Sequence, residues 1–275
     1  MERILVLIDP SGLERETMEF ACYIANLTQS KVTGLFYNPE MKKQPATAGE
    51  IRRGSYFEEQ SGKPDNGQYH LQELKTAFTR FCDNHQLLTK PDVIEVKHLE
   101  DIYLQSRFAD LLILTPDYGA KPDESILASE NILNVLKHAE CPVFVAPLTA
   151  KEPSEIVFTY DGSASSVFAI KQFTQLFPQL SDLVVTLLEI KSENSNTVDF
   201  RENINEYLQT HYRYVSQLVL KGDPQDELFS FLIDKKQMYI VMGAFGKHFM
   251  HSILHRSTAT LLLKTTALPV FISHK

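Results

Sequence analysis

The sequence is an imperfect tandem repeat, and this feature most constrains its fold. The run RILVLIDPSG at 3–12 is similar to EIVFTYDGSA at 155–164, and the apolar part ends in Asp9 in one copy and in Asp161 in the other. LKHAECPVFVAP at 136–147 is similar to LKTTALPVFISH at 263–274. Matches at both ends, in the same order, predict two copies of one domain, at 1–148 and 154–275. A length of 275 residues also favours two domains.

The first copy is the longer one. The starts of the two copies are 152 positions apart and their ends 127 positions apart, so the first copy carries about 25 additional residues. They fall most naturally at 41–67, a stretch that is rich in Gly, Pro and charged residues and lacks periodicity. We expect a mobile loop insertion there that contributes little to the core.

Strand and helix patterns alternate within each copy. Short runs that are apolar throughout, such as 4–8, 111–114 and 239–242, are typical of parallel strands covered on both faces. The order β-α-β-α-β-α-β-α-β, found twice, predicts an α/β protein with two tandem doubly wound open parallel sheets of five strands each. Between the strands, three sets of residues recur at helical spacing: Met18, Ala21, Cys22 and Ala25; Leu71, Leu74, Phe78, Phe81 and Cys82; Phe200, Ile204, Leu208 and His211.

The last strand of each copy, near 143–145 and 270–272, is apolar and would lie at a sheet edge that needs covering. We therefore expect the two halves to pack as a pseudo-twofold pair through these strands. Sheets of this kind bind ligands at the carboxyl ends of their strands, where the strand order reverses. Asp9, Asp161 and the loop at 243–246 are expected at such strand ends.

Composition excludes some partners. The net charge of −8 argues against a nucleic acid, which proteins bind mainly through Lys and Arg. The three cysteines form no CxxC motif and sit among apolar neighbours, as buried thiols of a cytoplasmic protein do. No apolar run approaches the ~20 residues of a membrane helix. We expect a cytoplasmic protein with neither a membrane nor a nucleic acid as its partner.

Together these features resemble the universal stress protein family in its tandem two-domain form, which has an adenine-nucleotide α-hydrolase-like fold. The resemblance covers the whole chain. It rests on the strand-Asp-x-Ser opening of each half, the turn at 222–224, the VMGAFG stretch at 241–246 and the closing Pro-Val strands. The family's signature is a glycine, two residues, a second glycine, nine residues and then Gly-Ser or Gly-Thr. Gly243 and Gly246 fit, and residues 247–255 then lead to Arg256 and Ser257.

The resemblance implies a stress-response protein that binds one ATP in its C-terminal half and acts as a sensor or adaptor. It implies that Asp161 and Ile190 hold the adenine, with no metal beyond a nucleotide-bound Mg²⁺. The ribose and phosphates would be held at a loop and helix N-terminus, where free N–H groups favour anions, by Gly243, Gly246, Ser257 and Thr258.

Arg256 departs from the signature. Its side chain either blocks the approach of backbone to the phosphates or supplies a charge to them. The alternative function is a tandem scaffold that binds no nucleotide and acts through protein contacts. Whether the whole chain also forms a homodimer stays open.

The first half departs further. Its matching segment reads Thr115-Pro116-Asp117-Tyr118, without either glycine, and Ser129 and Glu130 occupy the Gly-Ser position. Pro116 has no N–H to donate, and Asp117 would repel a phosphate. We predict that this half binds no nucleotide and that Asp9 forms a structural turn or a helix cap.

The sequence favours binding over catalysis. It contains no GxxxxGK[ST] loop, no GxSxG elbow and no SGGxDS-like loop, and its spacings indicate no nucleophile-base pair. We expect no enzyme, although slow incidental ATP hydrolysis stays open. His248, His251 and His255 would share one helix face, which we interpret as a solvated or phosphate-facing surface rather than a metal site.

Overall fold

Among the residues that the structure describes, the first half alternates five strands with four helices. The computed structural model describes residues 1–9, 12–37, 66–115, 130–146, 152–191, 201–243 and 268–273. The elements are β1 (Arg3–Ile8), α1 (Arg15–Thr28), β2 (Lys31–Tyr37), α2 (Asn66–Asn84), β3 (Asp92–Val96), α3 (Leu99–Ser106), β4 (Leu111–Leu114), α4 (Glu130–His138) and β5 (Val143–Val145). The last two residues of the predicted insertion, Asn66 and Gly67, begin α2, and the rest of it lies outside the described residues.

The second half repeats this order up to its fourth strand. Its elements are β6 (Glu155–Tyr160), α5 (Ala164–Leu176), β7 (Val184–Lys191), α6 (Arg201–His211), β8 (Tyr214–Lys221), α7 (Pro224–Leu232), β9 (Met238–Gly243) and β10 (Val270–Ser273). The predicted turn at 222–224 joins β8 to α7, and Asp223 caps the helix by accepting a hydrogen bond from the Asp226 N–H at 3.3 Å. The connection between β9 and β10 lies outside the described residues.

The ten strands form one sheet in the order β3-β2-β1-β4-β5-β10-β9-β6-β7-β8. Neighbouring strands are parallel within each half. At the centre β5 pairs with β10 antiparallel, and Phe144 lies opposite Phe271. The predicted doubly wound α/β fold is therefore confirmed, as is the contact between the last strands of the two halves.

Helices cover both faces of the sheet. One core contains residues of α1, α2, α5 and α6, and a second core on the other face contains residues of α3, α4 and α7. Right-handed crossovers explain this division, because α1 and α2 connect strands in one direction and α3 and α4 in the other. None of the helices in the described ranges is long and apolar enough to cross a membrane.

The predicted helix faces pack as expected, with one error. The α1 and α2 faces belong to the first core. In α6, Ile204 and Leu208 are buried, but His211 is exposed and the next residue, Tyr212, is buried instead. The prediction for His211 was wrong because the residue four positions after Leu208 continues the buried face, whereas His211 lies against the exposed side of the helix end and packs on Tyr207. Phe200 lies outside the described residues.

An aromatic cluster fills the first core where the two halves meet. The Phe144 ring lies 5.1 Å from Phe20 and 5.4 Å from Phe271, centroid to centroid, in edge-on contacts. It also contacts Tyr239 at 5.3 Å, and Tyr239 in turn contacts Phe20 of the other half at 6.0 Å. Edge-on pairs of buried rings add to the free energy that their burial already supplies.

We predict that Phe144→Ala lowers the free energy of unfolding by about 3–5 kcal/mol, the usual cost of removing a buried ring. Urea denaturation measures this loss. Phe108→Ala is the matched control, because the Phe108 side chain is 70% exposed, and it should change stability by no more than about 0.5 kcal/mol. Equal losses in the two variants would contradict a central role for the cluster.

The Tyr239 hydroxyl allows a second prediction. It is buried and has no hydrogen-bond partner among the residues that the structure describes, and burial holds its pKa well above the usual range. Tyr239→Phe removes an unsatisfied polar group, so the free energy of unfolding should rise by about 1 kcal/mol. Tyr212→Phe should instead lower it by about 1 kcal/mol, because the Tyr212 hydroxyl donates to Thr174 Oγ1 at 3.1 Å. Thermal or chemical unfolding of both variants checks the opposite signs.

Candidate functional site at the carboxyl ends of β6, β7 and β9

Three strands of the second half end at the same edge of the sheet. β6 lies between β7 and β9, with Tyr160 in register with Glu189 and Phe158 in register with Val241. The chain leaves β6 towards β7 and later returns to β9 on the other side, so the strand order reverses here. A crevice outside the carboxyl ends of such strands is the usual ligand site of this architecture.

The register brings Asp161, Ile190 and Gly243 to this edge. Asp161 follows the last residue of β6, Ile190 is the penultimate residue of β7, and Gly243 is the last residue of β9. Ile190 is half-buried and packs against the second core. Gly246, Arg256, Ser257 and Thr258 lie outside the described residues.

The loop between β6 and α5 is fixed by its own side chains. Asp161 Oδ1 accepts a hydrogen bond from the Ser163 N–H at 2.9 Å, and Gly162 takes the positive φ of 75° that this turn requires. Ser163 caps α5, with its Oγ accepting from the Ser166 N–H at 3.1 Å. The sequence signal for this cap is the serine-rich run DGSASS at 161–166.

The second carboxylate oxygen of Asp161, Oδ2, does not stabilise this turn. Oδ2 is buried and accepts no hydrogen bond from any residue in the described part of the chain. An acceptor of this kind costs free energy unless a donor reaches it. A ligand that presents an N–H group at this edge would supply one.

Gly243 has a packing reason of its own. A Cβ at this position would lie 2.5 Å from the carbonyl carbon of Ser165 and 2.6 Å from its oxygen, closer than real Cβ contacts. The first turn of α5 therefore rests directly on the end of β9. The neighbouring strand β6 is also bonded to β9, because the Thr159 hydroxyl donates to the Val241 carbonyl at 3.1 Å. The sequence interpretation, which assigned Gly243 to phosphate binding alone, missed this contact.

The first half differs from the second at the corresponding strand end. Phe144 is in register with Ile113 and Phe271 with Val241, so Thr115 occupies the position that corresponds to Gly243. Helix α1 begins six residues after Asp9, at Arg15, whereas α5 begins three residues after Asp161. Within the described residues, the first half therefore has no helical turn at the position of the one that contacts Gly243.

Asp9 takes part in a turn, as predicted. The Gly12 N–H donates to the Asp9 carbonyl at 3.2 Å, while the residue that precedes α1 is Glu14, without a side-chain cap. Pro116, Asp117 and Ser129 lie outside the described residues, and Glu130 is the first residue of α4.

The sequence interpretation missed one acidic residue near the carboxyl end of β7. Glu189 is in register with Tyr160, is buried, and forms an ion pair with Lys191 at 3.5 Å. Only its place near the end of an apolar strand signals it in the sequence. Within the described ranges, no group of three His, Cys, Asp or Glu residues could hold a metal ion, and His248, His251 and His255 lie outside those ranges.

A known protein is similar to this chain along nearly its whole length. The chain is 21% identical to the universal stress protein Slr1230 of Synechocystis sp. (strain ATCC 27184 / PCC 6803 / Kazusa) over 290 aligned positions, which cover 98% of this chain and 99% of that protein. Models of known protein families give no match.

Two solved structures match over almost the whole chain. A universal stress protein from Archaeoglobus fulgidus DSM 4304 has a TM-score of 0.69 at 14% identity, covering 99% of this chain and 96% of that one. A putative universal stress protein from Pseudomonas aeruginosa UCBPP-PA14 has a TM-score of 0.58 at 16% identity, covering 100% and 93%. The chain thus has the fold of a tandem universal stress protein, and its sequence is similar to a universal stress protein along nearly its whole length.

Proposed function

We propose that the second half binds one adenine nucleotide, ATP, where β6, β7 and β9 end, and that the protein serves as a cytoplasmic sensor or adaptor in a stress response. The observation that carries this proposal is the buried Asp161 Oδ2, which has no hydrogen-bond partner among the described residues. Its place at the reversal of strand order is where ligands of doubly wound sheets bind. The proposed activity is binding, with hydrolysis at most slow and incidental.

The residues present fit an adenine nucleotide. Asp161 Oδ2 is an acceptor, and the exocyclic amino group of adenine is a donor. Phosphates would take backbone N–H groups of the loop that begins at Gly243 and continues through Gly246, together with the hydroxyls of Ser257 and Thr258. Arg256 would add a charge-assisted hydrogen bond in the clamp alternative. Any Mg²⁺ would come with the nucleotide.

The asymmetry between the halves supports one nucleotide per chain. Where the second half has Gly243 and a short turn into α5, the first half has Thr115 and a longer connection into α1. Pro116 also has no N–H to donate to a phosphate, and the negative charge of Asp117 would repel one.

The scaffold alternative has one observation in its favour. The contact with Ser165 accounts for Gly243 without a ligand, so this glycine is expected in a protein that binds none. In that case the protein would act through contacts with other proteins, and the carboxyl ends of β6, β7 and β9 would bind no ligand.

Asp161→Asn tests the nucleotide proposal. The amide keeps an oxygen to accept from the Ser163 N–H and replaces Oδ2 by a donor, which would face the adenine amino group. We expect ATP affinity to fall by about 1.5–3 kcal/mol, or roughly 10- to 150-fold, with little change in stability. Titration calorimetry measures affinity and stoichiometry, with one ATP per wild-type chain expected.

Asp9→Asn is the matched control in the first half and should leave ATP affinity unchanged. Equal affinity of the wild type and the Asp161 variant would contradict the adenine contact. Two molecules per chain would contradict the asymmetry, and no binding by the wild type would favour the scaffold.

Gly243→Ala separates packing from ligand binding. Its Cβ would overlap the Ser165 backbone, so the free energy of unfolding should fall by about 1–3 kcal/mol even without nucleotide. Gly12→Ala is the control, because a Cβ there meets nothing within 4 Å, and it should be nearly neutral. Urea denaturation without ATP measures both, and a neutral Gly243→Ala would show that α5 does not press on β9.

A further inference from the structure

The sheet ends in β3 on one side and in β8 on the other. Within the ranges that the structure describes, no strand pairs with the outer side of either one. A strand at such an edge presents backbone N–H and C=O groups to which another chain can bond, and proteins commonly protect their edges with charged residues, proline or short strands. The two edges of this sheet differ in that protection.

The edge at β3 has these protective features. The strand has five residues, of which two are acidic, and Pro91 precedes it. Asp92 forms an ion pair with Lys31 at 2.6 Å, and Glu95 forms one with Lys75 at 3.0 Å. A short strand with charged side chains is a poor template for pairing, so β3 is a protected edge.

The edge at β8 is built differently. All eight residues of the strand are in register with β7, so it runs without a bulge. Its sequence YVSQLVLK contains no proline, and its one charged residue is the last, Lys221. Residues 218–220 are apolar at three consecutive positions, which is typical of strands in the interior of a parallel sheet rather than at its edge.

The apolar side chains of β8 lie on both faces of the sheet. Val215 packs against the first core, whereas Leu218 and Leu220 pack against the second. Val219 lies on the same face as Val215 because side chains alternate along a strand, and it is 39% exposed, while Tyr214 is 51% exposed. A helix docked on one face would leave the other face uncovered. A strand added beside β8 would shield both faces and would bond to the backbone as well.

We propose that β8 pairs antiparallel with β8 of a second copy of this chain, so that the sheets of the two copies become continuous. The chain closes its two inner edges in the same way, because β5 and β10 are corresponding strands of the repeat and pair antiparallel. Phe144 lies opposite Phe271, its own counterpart in the repeat. The proposal does not depend on the nucleotide site.

The faces of the strand limit the register of this pairing. A twofold axis perpendicular to the sheet keeps α6 of both copies on one face, and it places the central residue of the pairing opposite its own counterpart. With Gln217 at the centre, Val215 lies opposite Val219 of the second copy. Tyr214 lies opposite Leu220 in the same way, so apolar side chains meet across the strands.

The charges fit this register. The paired residues, 214–220, carry no charge, so no buried charge opposes the pairing. Lys221 falls just outside them, level with Arg213 of the second copy. These two cations repel each other at the exposed ends of the pairing, and salt screens such a repulsion. Added salt should therefore strengthen the dimer rather than weaken it.

The first test measures the oligomeric state of the full chain by sedimentation velocity over a range of protein concentrations. The wild type should form a dimer. Val219→Lys should raise the dissociation constant of that dimer roughly 10- to 100-fold, because each copy would bring a charge into the paired strands. Val93→Lys is the matched control at the other edge, since Val93 lies on β3 and is 36% exposed, and it should leave the dissociation constant unchanged.

The second test reads the register. Opposed residues of an antiparallel pair lie within reach of a disulfide, so oxidised Gln217→Cys should form a covalent dimer that dithiothreitol reverses. Ser216→Cys is the control, because Ser216 is also exposed but would face Leu218 of the second copy, and it should form little covalent dimer. Both variants keep the three buried cysteines of the wild type, so these do not affect the comparison.

A wild type that stays monomeric at every concentration overturns the proposal and favours an extended segment of another protein at this edge. A dimer that Val93→Lys weakens and Val219→Lys leaves intact overturns it as well. A dimer whose Gln217→Cys variant forms no covalent link contradicts the antiparallel pairing. Circular dichroism of each variant confirms that a lost dimer does not come from a lost fold.

Discussion

The antiparallel pairing of β5 with β10 is the constraint on which the rest of the structure depends. Each half alone would expose its apolar last strand as an open edge, and the pairing closes both edges at once. The β5–β10 pairing joins the two parallel sheets edge to edge into one continuous sheet. It therefore also places α1, α2, α5 and α6 on the same face of that sheet, where they share a single core. Phe144 and Phe271, opposite each other in the pairing, lie at the centre of that core.

The two halves are not interchangeable at this centre. By the repeat spacing of 152 positions, Phe173 and Phe177 of α5 correspond to Ala21 and Ala25 of α1. Both phenylalanines contact Phe144, while both alanines are buried. Large residues from one copy thus fill a space in which the other copy contributes small ones. Two identical copies would leave a cavity or overfill the space, and close-packed cores tolerate neither well.

Much of this fold was predictable from the sequence, because a tandem repeat and buried parallel strands leave few alternatives. The paired last strands and the faces of α1 and α2 followed from apolar spacing alone. What could not be predicted depends on contacts between elements distant in sequence. The overlap that Gly243 avoids involves Ser165, and the burial of Tyr212 in place of His211 depends on how the end of α6 meets the sheet. For the candidate site, the strand ends and Asp161 were predictable from the sequence. The buried Asp161 Oδ2, which has no partner among the described residues, and the buried Glu189 were not.

The different start of the first helix in each half has a consequence for how such chains diverge. In the second half, the small residue at the end of β9 and the early first turn of α5 depend on each other, since each occupies space that the other leaves free. In the first half both partners differ together, with Thr115 directly after β4 and a longer connection before α1. Exchanging the threonine for glycine would open a gap without supplying the missing turn, and extending α1 alone would drive it into a threonine side chain. Restoring the arrangement in the first half would therefore need both changes at once, since either change alone packs badly. Packing thus preserves the difference between the two copies.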